Sequence, residues 1–174
     1  MALYEFDGKR PQVPSDSFVH PQAVLIGDVR LGHECLIAPG ACIRGDFGPV
    51  ILGDRTSVQD NAVIHVYPGS QVTVGNDVTI AHGAILHDVH LKDRCTIGIG
   101  AVLLFNVVCE GDVLVSVGSV VRKDMHVPAG KIVAGNPAVI TRDLTEKDKA
   151  AARNGIEAYR YLCRTYLATM KTID

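Results

Sequence analysis

The chain has 174 residues, of which 47% are hydrophobic and 21% charged, a composition typical of a single globular domain rather than a disordered chain. Its formal net charge of −2 provides no strongly basic surface, which argues against nucleic acid or an anionic membrane as a partner. No window approaches the roughly 18 consecutive apolar residues that a membrane span needs.

The N-terminal stretch and the cysteines bear on the cellular compartment. The first ten residues mix acid, base and glycine, and they resemble neither a signal peptide nor a transit peptide. The five cysteines are odd in number and form no CxxC pair, which fits reduced thiols better than a disulfide framework. We therefore expect a cytoplasmic protein.

A six-residue repeat of aliphatic residues runs through most of the chain. Its positions are Leu31, Ile37, Ile43, Leu52, Val58, Ile64, Val74, Ile80, Leu86, Leu91, Ile97, Leu103, Cys109, Val115 and Val121. Such a period predicts a short strand and a corner, repeated, with one aliphatic side chain per strand pointing inward. Three strands make a triangular coil of about 18 residues, so the fifteen positions predict about five stacked coils around one core.

Two interruptions of the repeat and the end of the chain complete the predicted architecture. The interruptions, Phe47–Val50 and Val66–Ser70, contain proline and glycine and are predicted loops. The pattern changes after Val127-Pro128-Ala129-Gly130 and Gly135-Asn136-Pro137. Thr145 resembles a helix cap, and the apolar residues that follow recur with helical spacing. We predict a β-helix over residues 1–142 and a helix over residues 143–174 that packs on its outside, together forming one domain.

Two histidines share one outward-facing column of this predicted coil. His65 follows Ile64 and His87 follows Leu86, the third ladder positions of consecutive coils, and Arg44 takes the equivalent place one coil earlier. Because stacked strands lie about 4.8 Å apart, the two imidazoles can share an ion with Zn–N bonds of about 2.0–2.1 Å. The alternative is an accidental stack of two histidines.

A third histidine is a candidate ligand from another subunit. His82 precedes His87 by five residues, roughly 16 Å of extended chain, so sharing one ion within a single chain would be awkward. A neighbouring subunit around a threefold axis could supply it instead. Three histidines and one open position form the pattern of a catalytic zinc site.

The chain resembles the γ-class carbonic anhydrase family. The resemblance covers most of the chain, and it is carried by Arg44-Gly45-Asp46, Ser57-Val58-Gln59-Asp60-Asn61, His65, Ala81-His82 and His87. This combined pattern is more specific than the hexapeptide repeat, which many acyltransferases share. Gly135-Asn136-Pro137-Ala138 and the terminal stretch resemble a sub-branch that contains phenylacetate-degradation and carnitine-operon accessory proteins.

The resemblance implies a left-handed parallel β-helix that forms a homotrimer with metal sites at the subunit interfaces. It assigns His65 and His87 of one subunit and His82 of the next as ligands of Zn2+, with Fe2+ or Co2+ as alternatives because imidazole ligands discriminate weakly. It further implies that Gln59 orients a metal-bound hydroxide that attacks a small-molecule substrate, carbon dioxide, to give bicarbonate.

The resemblance also implies roles for three charged residues. Arg44 and Asp46 match the family's interface ion pair, which has either a bracing or a catalytic role. Asp60 is expected to be structural and to bond near that arginine.

The sequence departs from the family pattern where protons would leave the site. The best-studied archaeal members carry a glutamate at the position of Phe47 and another in the loop that here reads Val66–Ser70, which contains no acid. Tyr67 and His90 are the nearby alternatives. Since hydration of carbon dioxide releases a proton in each turnover, this departure predicts low activity or a different proton route.

Two other functions remain open on the same scaffold. One is thioesterase or transferase chemistry on an acyl-coenzyme A. The other is a structural trimer in which a non-catalytic metal clamps the subunits together.

Overall fold

The computed structural model describes residues 2–173 and shows a left-handed parallel β-helix of about seven turns with one C-terminal helix. In chain order the elements are β1 (Ala2–Tyr4), β2 (Phe18–Val19), β3 (Val24–Leu31), β4 (Leu36–Ile37), β5 (Cys42–Leu52), β6 (Ser57–Val58), β7 (Val63–His65), β8 (Val72–Val74), β9 (Thr79–Ile80), β10 (Ile85–His87), β11 (Val89–Leu91), β12 (Thr96–Ile97), β13 (Val102–Leu103), β14 (Val107–Cys109), β15 (Leu114–Val115), β16 (Val120–Val121), β17 (His126–Val127), β18 (Lys131–Gly135), β19 (Ala138–Asp143) and α1 (Glu146–Thr169).

Three faces of paired strands surround the core. The helix face consists of the parallel strands β2, β4, β6, β9, β12, β15 and β18, with β19 antiparallel at its end. The histidine face consists of β1, the first halves of β3 and β5, and β7, β10, β13 and β16. The third face consists of the second halves of β3 and β5 with β8, β11, β14 and β17. The long strands β3 and β5 therefore bend around the corner between the histidine face and the third face.

The predicted aliphatic ladder is the core of the β-helix. All fifteen predicted positions are at most 7% exposed. The predicted number of five coils is wrong, because the ladder continues with Val19 and Leu25 before it and with Val127 and Val133 after it. The Pro128–Gly130 stretch that suggested an end is only another corner, where Gly130 adopts the left-handed backbone conformation (φ +73°).

One predicted loop is confirmed and the other is wrong. Val66–Ser70 separates β7 from β8, as expected. Phe47–Val50, by contrast, lies inside the continuous strand β5, where the pairing register with β3 shifts. Gly45 explains why β5 continues through these residues. A Cβ atom at position 45 would lie 2.4 Å from the carbonyl oxygen of Asp28, so only glycine allows the two strands to approach this closely. The close backbone approach lets β5 take up the extra residues as a bulge without leaving the sheet.

The predicted C-terminal helix is confirmed, and it packs on the helix face over β2, β4 and β6. Its start is fixed by a capping box between Thr145 and Asp148. Cys163 is fully buried against the β-helix. Arg160 and Arg164 donate hydrogen bonds to Glu34 (2.9 and 2.7 Å) and so fasten the helix to a corner of the coil.

The cysteines are all free thiols. Cys109 takes a ladder position, and it is as buried as its aliphatic neighbours. Burial raises the pKa of Cys35 and of Cys95 to about 11, so these thiols stay protonated at neutral pH. Among residues 2–173 there is no helix with the length and apolar character needed to cross a membrane. The cytoplasmic location stays a prediction.

Candidate metal centre

The predicted histidine column is confirmed by the strand register. His65 pairs with His87 in the neighbouring strand, and Arg44 pairs with His65 on the other side. Each follows a fully buried ladder residue and, because side chains alternate along a strand, points away from the core. The column stands at the end of the histidine face, where the chain turns toward the third face.

The two imidazoles are close enough to share an ion. Nδ1 of His65 lies 3.2 Å from Nε2 of His87, and the rings are nearly perpendicular (85°). Two nitrogens bound to one tetrahedral zinc at 2.0–2.1 Å would be about 3.3 Å apart. The observed separation therefore matches two ligands of a single zinc ion.

An aspartate behind His65 fixes the orientation of its ring. The Nε2–H of His65 donates to Asp46 (2.9 Å), since an ionised carboxylate can only accept, and this leaves Nδ1 with a lone pair facing His87. Arg44 donates to the other oxygen of Asp46 (2.9 Å). Burial acts to raise the pKa of Asp46, but the hydrogen bond from His65 and the charge of Arg44 outweigh it and hold the pKa below its usual range. The carboxylate is therefore ionised at neutral pH.

His87 also has a carboxylate behind it. Nδ1 of His87 is buried and makes no hydrogen bond within residues 2–173, but it lies 3.5 Å from the carboxylate of Asp88. If Nε2 of His87 offers its lone pair to a cation, the proton must sit on Nδ1, where it faces Asp88. Carboxylates behind the ligating histidines are the usual second layer of a zinc site.

His82 lies at a different corner, between β9 and β10. Its Nδ1–H donates to Asp60 (2.8 Å), one turn earlier, which leaves Nε2 free to bind a metal. Within one chain Asp60 bonds His82, and its bonding near Arg44 stays a prediction. Gln59 precedes Asp60 and is buried (3% exposed) at the same corner.

Within one chain the three histidines do not form a complete site. Of the residues described, no three histidine, cysteine, aspartate or glutamate side chains are arranged to hold a metal ion together. The structure therefore brings His65, His87, Asp46 and Arg44 together, and places His82, Asp60 and Gln59 apart from them. Metal binding by these residues stays a prediction.

Known proteins are similar to this chain in sequence and in fold. The mitochondrial γ carbonic anhydrase 1 of Arabidopsis thaliana is 36% identical over 166 residues, which are 92% of this chain and 60% of that protein. The carnitine operon protein CaiE of Salmonella agona is 34% identical over 176 residues, covering 99% of this chain and 89% of CaiE. The chain belongs to the hexapeptide-repeat family that contains the γ-class carbonic anhydrases and CaiE.

A solved structure supports the same family. The hexapeptide transferase family protein from Anaplasma phagocytophilum superposes with a TM-score of 0.91 at 32% identity, over 95% of this chain and 98% of that one. The chain spans only 60% and 52% of the lengths of the two Arabidopsis γ carbonic anhydrases that it matches. No protein-family model matches the chain.

Aromatic side chains surround the histidine pair of this family member. The ring of Phe47 lies 5.7 Å from that of His65, and the ring of Phe105 lies 4.6 Å from that of His87. Tyr67 in turn lies 6.1 Å from Phe105. Sequence reasoning identified Phe47 only as the replacement of an acid and Tyr67 as an alternative proton group, and it did not identify Phe105. The period gave no signal for Phe105, because Leu86 pairs with Leu103, 17 residues later, so that Phe105 lies one residue out of register with His87.

Proposed function

We propose that the chain is one subunit of a trimeric zinc enzyme that reversibly hydrates carbon dioxide to bicarbonate. Each metal would be held by His65 and His87 of one copy and by His82 of the next. The observation that carries the proposal is the 3.2 Å contact between the two imidazole nitrogens, with the carboxylate of Asp46 behind His65.

Two apolar patches support assembly into a ring. One is a column on the histidine face, two residues before the histidine column, formed by Val63, Ile85, Val102 and Val120, of which Ile85 is 45% exposed. The other patch consists of Ile99 (51% exposed) and Val117 (69% exposed). These residues occupy the corner position of His82 one and two turns further along the β-helix. Contact between two different patches of identical chains generates a ring where the rotation closes, and this contact would carry His82 toward the partner's histidine pair.

The residues of this chain would prepare the ligands. When bound, zinc supplies the Lewis acidity that makes water a nucleophile near neutral pH. Asp46 and Asp60 each accept a hydrogen bond from one ring nitrogen of His65 and His82, respectively, so the other nitrogen of each ring would be free to bind the ion. Gln59 would accompany His82 from the same subunit and orient the substrate or the attacking water.

The aromatic surroundings predict how protons leave. Phe47 and Tyr67 offer no carboxylate to accept a proton, so exchange with buffer molecules would limit turnover. The rate should therefore rise with buffer concentration at constant pH.

The test is carbon dioxide hydration by the zinc-loaded protein, with His87→Ala compared with the wild type. His126→Ala is the matched control, because His126 lies on the third face and bonds Glu110 rather than the histidine pair. We expect His87→Ala to fall to background while His126→Ala keeps the wild-type rate. Equal, near-background rates for wild type and His87→Ala would end the proposal.

A second candidate function keeps the same site but hydrolyses a coenzyme A thioester, giving a carboxylic acid and free coenzyme A. The aromatic side chains in place of acids favour it, because they suit an organic acyl group better than carbon dioxide. Release of free thiol from a panel of acyl-coenzyme A compounds tests it, and no release from any of them would count against it. A metal with a purely structural role would give a different result. A chelator would then dissociate the trimers, and the protein would turn over neither carbon dioxide nor an acyl-coenzyme A.

A further inference from the structure

A cavity of about 370 Å3 lies at the corner between the histidine face and the third face. Phe105 and Asp88 line it, and both also contact or adjoin His87, so the cavity is next to the histidine pair. Its volume falls in the range of small-molecule sites, about 300–1,000 Å3, and far exceeds the roughly 30 Å3 that one water occupies. The space is therefore much larger than carbon dioxide or bicarbonate requires.

One wall of this cavity is aromatic. The rings of Tyr67 and Phe105 meet edge to face (84°) and are 58% and 39% exposed. Such a pair presents flat apolar surface and ring edges, against which another aromatic ring packs well. Since both residues belong to the same chain, this wall is complete without a partner subunit.

Charges of both signs line the cavity, with two carboxylates and one ammonium group. Of its two acids, Asp88 accepts a hydrogen bond from the backbone N–H of Tyr67 (2.7 Å), and Asp124 accepts one from the side chain of Asn106 (3.1 Å). Lys123 also lines the cavity and is exposed. It forms no ion pair with any residue of the described range 2–173. The ammonium group of Lys123 is therefore the position in the cavity where a ligand carboxylate would pair, whereas both acids already accept a hydrogen bond.

We propose that this cavity binds a small aromatic carboxylate, with its ring against Tyr67 and Phe105 and its carboxylate paired with Lys123. The inference goes beyond carbon dioxide hydration, because neither carbon dioxide nor bicarbonate carries a ring. The inference rests on the proposed function in one respect. The bound molecule would lie beside the metal ligands, where it would be a substrate, a product or a competitor of the reaction.

The position of the cavity argues for a small ligand rather than a second copy of the chain. The apolar column through Val63 and Ile85 precedes the histidines on the histidine face, whereas the cavity is lined by residues that follow them, such as Tyr67 and Asp88. The histidine column separates the two surfaces. Packing of another copy on the apolar column would therefore not need the residues that line the cavity.

The experiment is a titration of chelator-treated protein with 4-fluorobenzoate, followed by fluorine NMR. We expect saturable binding, weakened about fivefold or more in Phe105→Ala because the ring contact is lost. Lys123→Met should weaken it about threefold through loss of the ion pair. Lys92→Met, which removes an exposed lysine at another corner, should bind as the wild type does. The neutral analogue 4-fluorobenzamide should bind equally to wild type and Lys123→Met.

Unsaturable binding, or wild-type affinity in both Phe105→Ala and Lys123→Met, would overturn the inference. Equal melting temperatures of the variants would exclude unfolding as the cause of weaker binding. Because the titration contains no metal, its failure leaves the carbon dioxide assay untouched. Conversely, loss of that activity would not affect the titration.

Discussion

Neighbouring residues on the same strands serve opposite purposes in this molecule. Ile64 and Leu86 point inward, are fully buried and are interchangeable members of a ladder that repeats through the whole β-helix. His65 and His87, one residue later, point outward and occur in only two consecutive turns. The inward column builds the fold and the outward column carries the chemistry. The alternation of side chains along a strand keeps the two requirements independent.

The largest effect that sharpens this comparison is expected from Leu86→Ala. Removing a fully buried leucine from close packing should lower the free energy of unfolding by about 2–5 kcal/mol, as measured by urea denaturation. Its neighbour provides the control, since His87→Ala is expected to change stability by less than about 1 kcal/mol while abolishing metal binding. A His87→Ala variant as unstable as Leu86→Ala would show that the outward column also builds the fold.

Asp46→Asn tests the outward column at a smaller scale. The amide cannot serve as the ionised acceptor that fixes the proton of His65, so zinc affinity should fall about 10–100-fold in competition with a chromophoric chelator. Asp28→Asn removes a carboxylate from the neighbouring strand that bonds Arg30 (2.8 Å), and it should leave zinc affinity unchanged. Equal zinc affinities of Asp46→Asn and the wild type would mean that the carboxylate does not act on the ligand.

The smallest effect is expected at the contact between α1 and the helix face. Burial acts to raise the pKa of Glu34, but Arg164 and Arg160 outweigh it and lower the pKa below its usual value. Because the pKa of Glu34 is lower in the folded state, its ionised carboxylate stabilises the fold at pH values above the unfolded-state pKa of about 4.3. This stabilisation is lost as the pH falls from that value through the folded-state pKa. Glu34→Gln should therefore cost about 1 kcal/mol at pH 7 and much less at pH 3.

The matched control for this prediction is Asp77→Asn, which breaks the ion pair with Arg55 within the coil and does not touch α1. Limited proteolysis distinguishes the two variants. Cleavage within α1 should increase in Glu34→Gln and not in Asp77→Asn. Equal cleavage in both would show that Glu34 does not anchor the helix.

Much of the fold and the histidine column followed from the sequence, because both depend on a strict local period. The period places Ile64 inward and His65 outward without any knowledge of distant contacts. The last turn was missed because Pro128 and Gly130 suggest an end to the repeat, although Val127 and Val133 continue it. At the other end, Val19 and Leu25 extend the repeat before Leu31. A proline or glycine at a corner is compatible with continuation, so composition alone misled.

Contacts between side chains were less predictable. The bond from His82 to Asp60 joins corners of consecutive turns, and the packing of Phe105 on His87 depends on where an extra corner residue falls. Neither follows from a period of six. The course of β5 through Phe47–Val50 depends on the close approach of Gly45 to Asp28, which requires the backbone geometry.

The most direct test of the account is to mix two inactive variants, His82→Ala and His87→Ala, and let them reassemble. In a ring that shares each metal between copies, a His82→Ala chain supplies the histidine pair and a neighbouring His87→Ala chain supplies the third ligand. Random reassembly should then restore about a quarter of the zinc binding and activity. Assemblies of the same mass that regain neither would contradict a site shared between subunits.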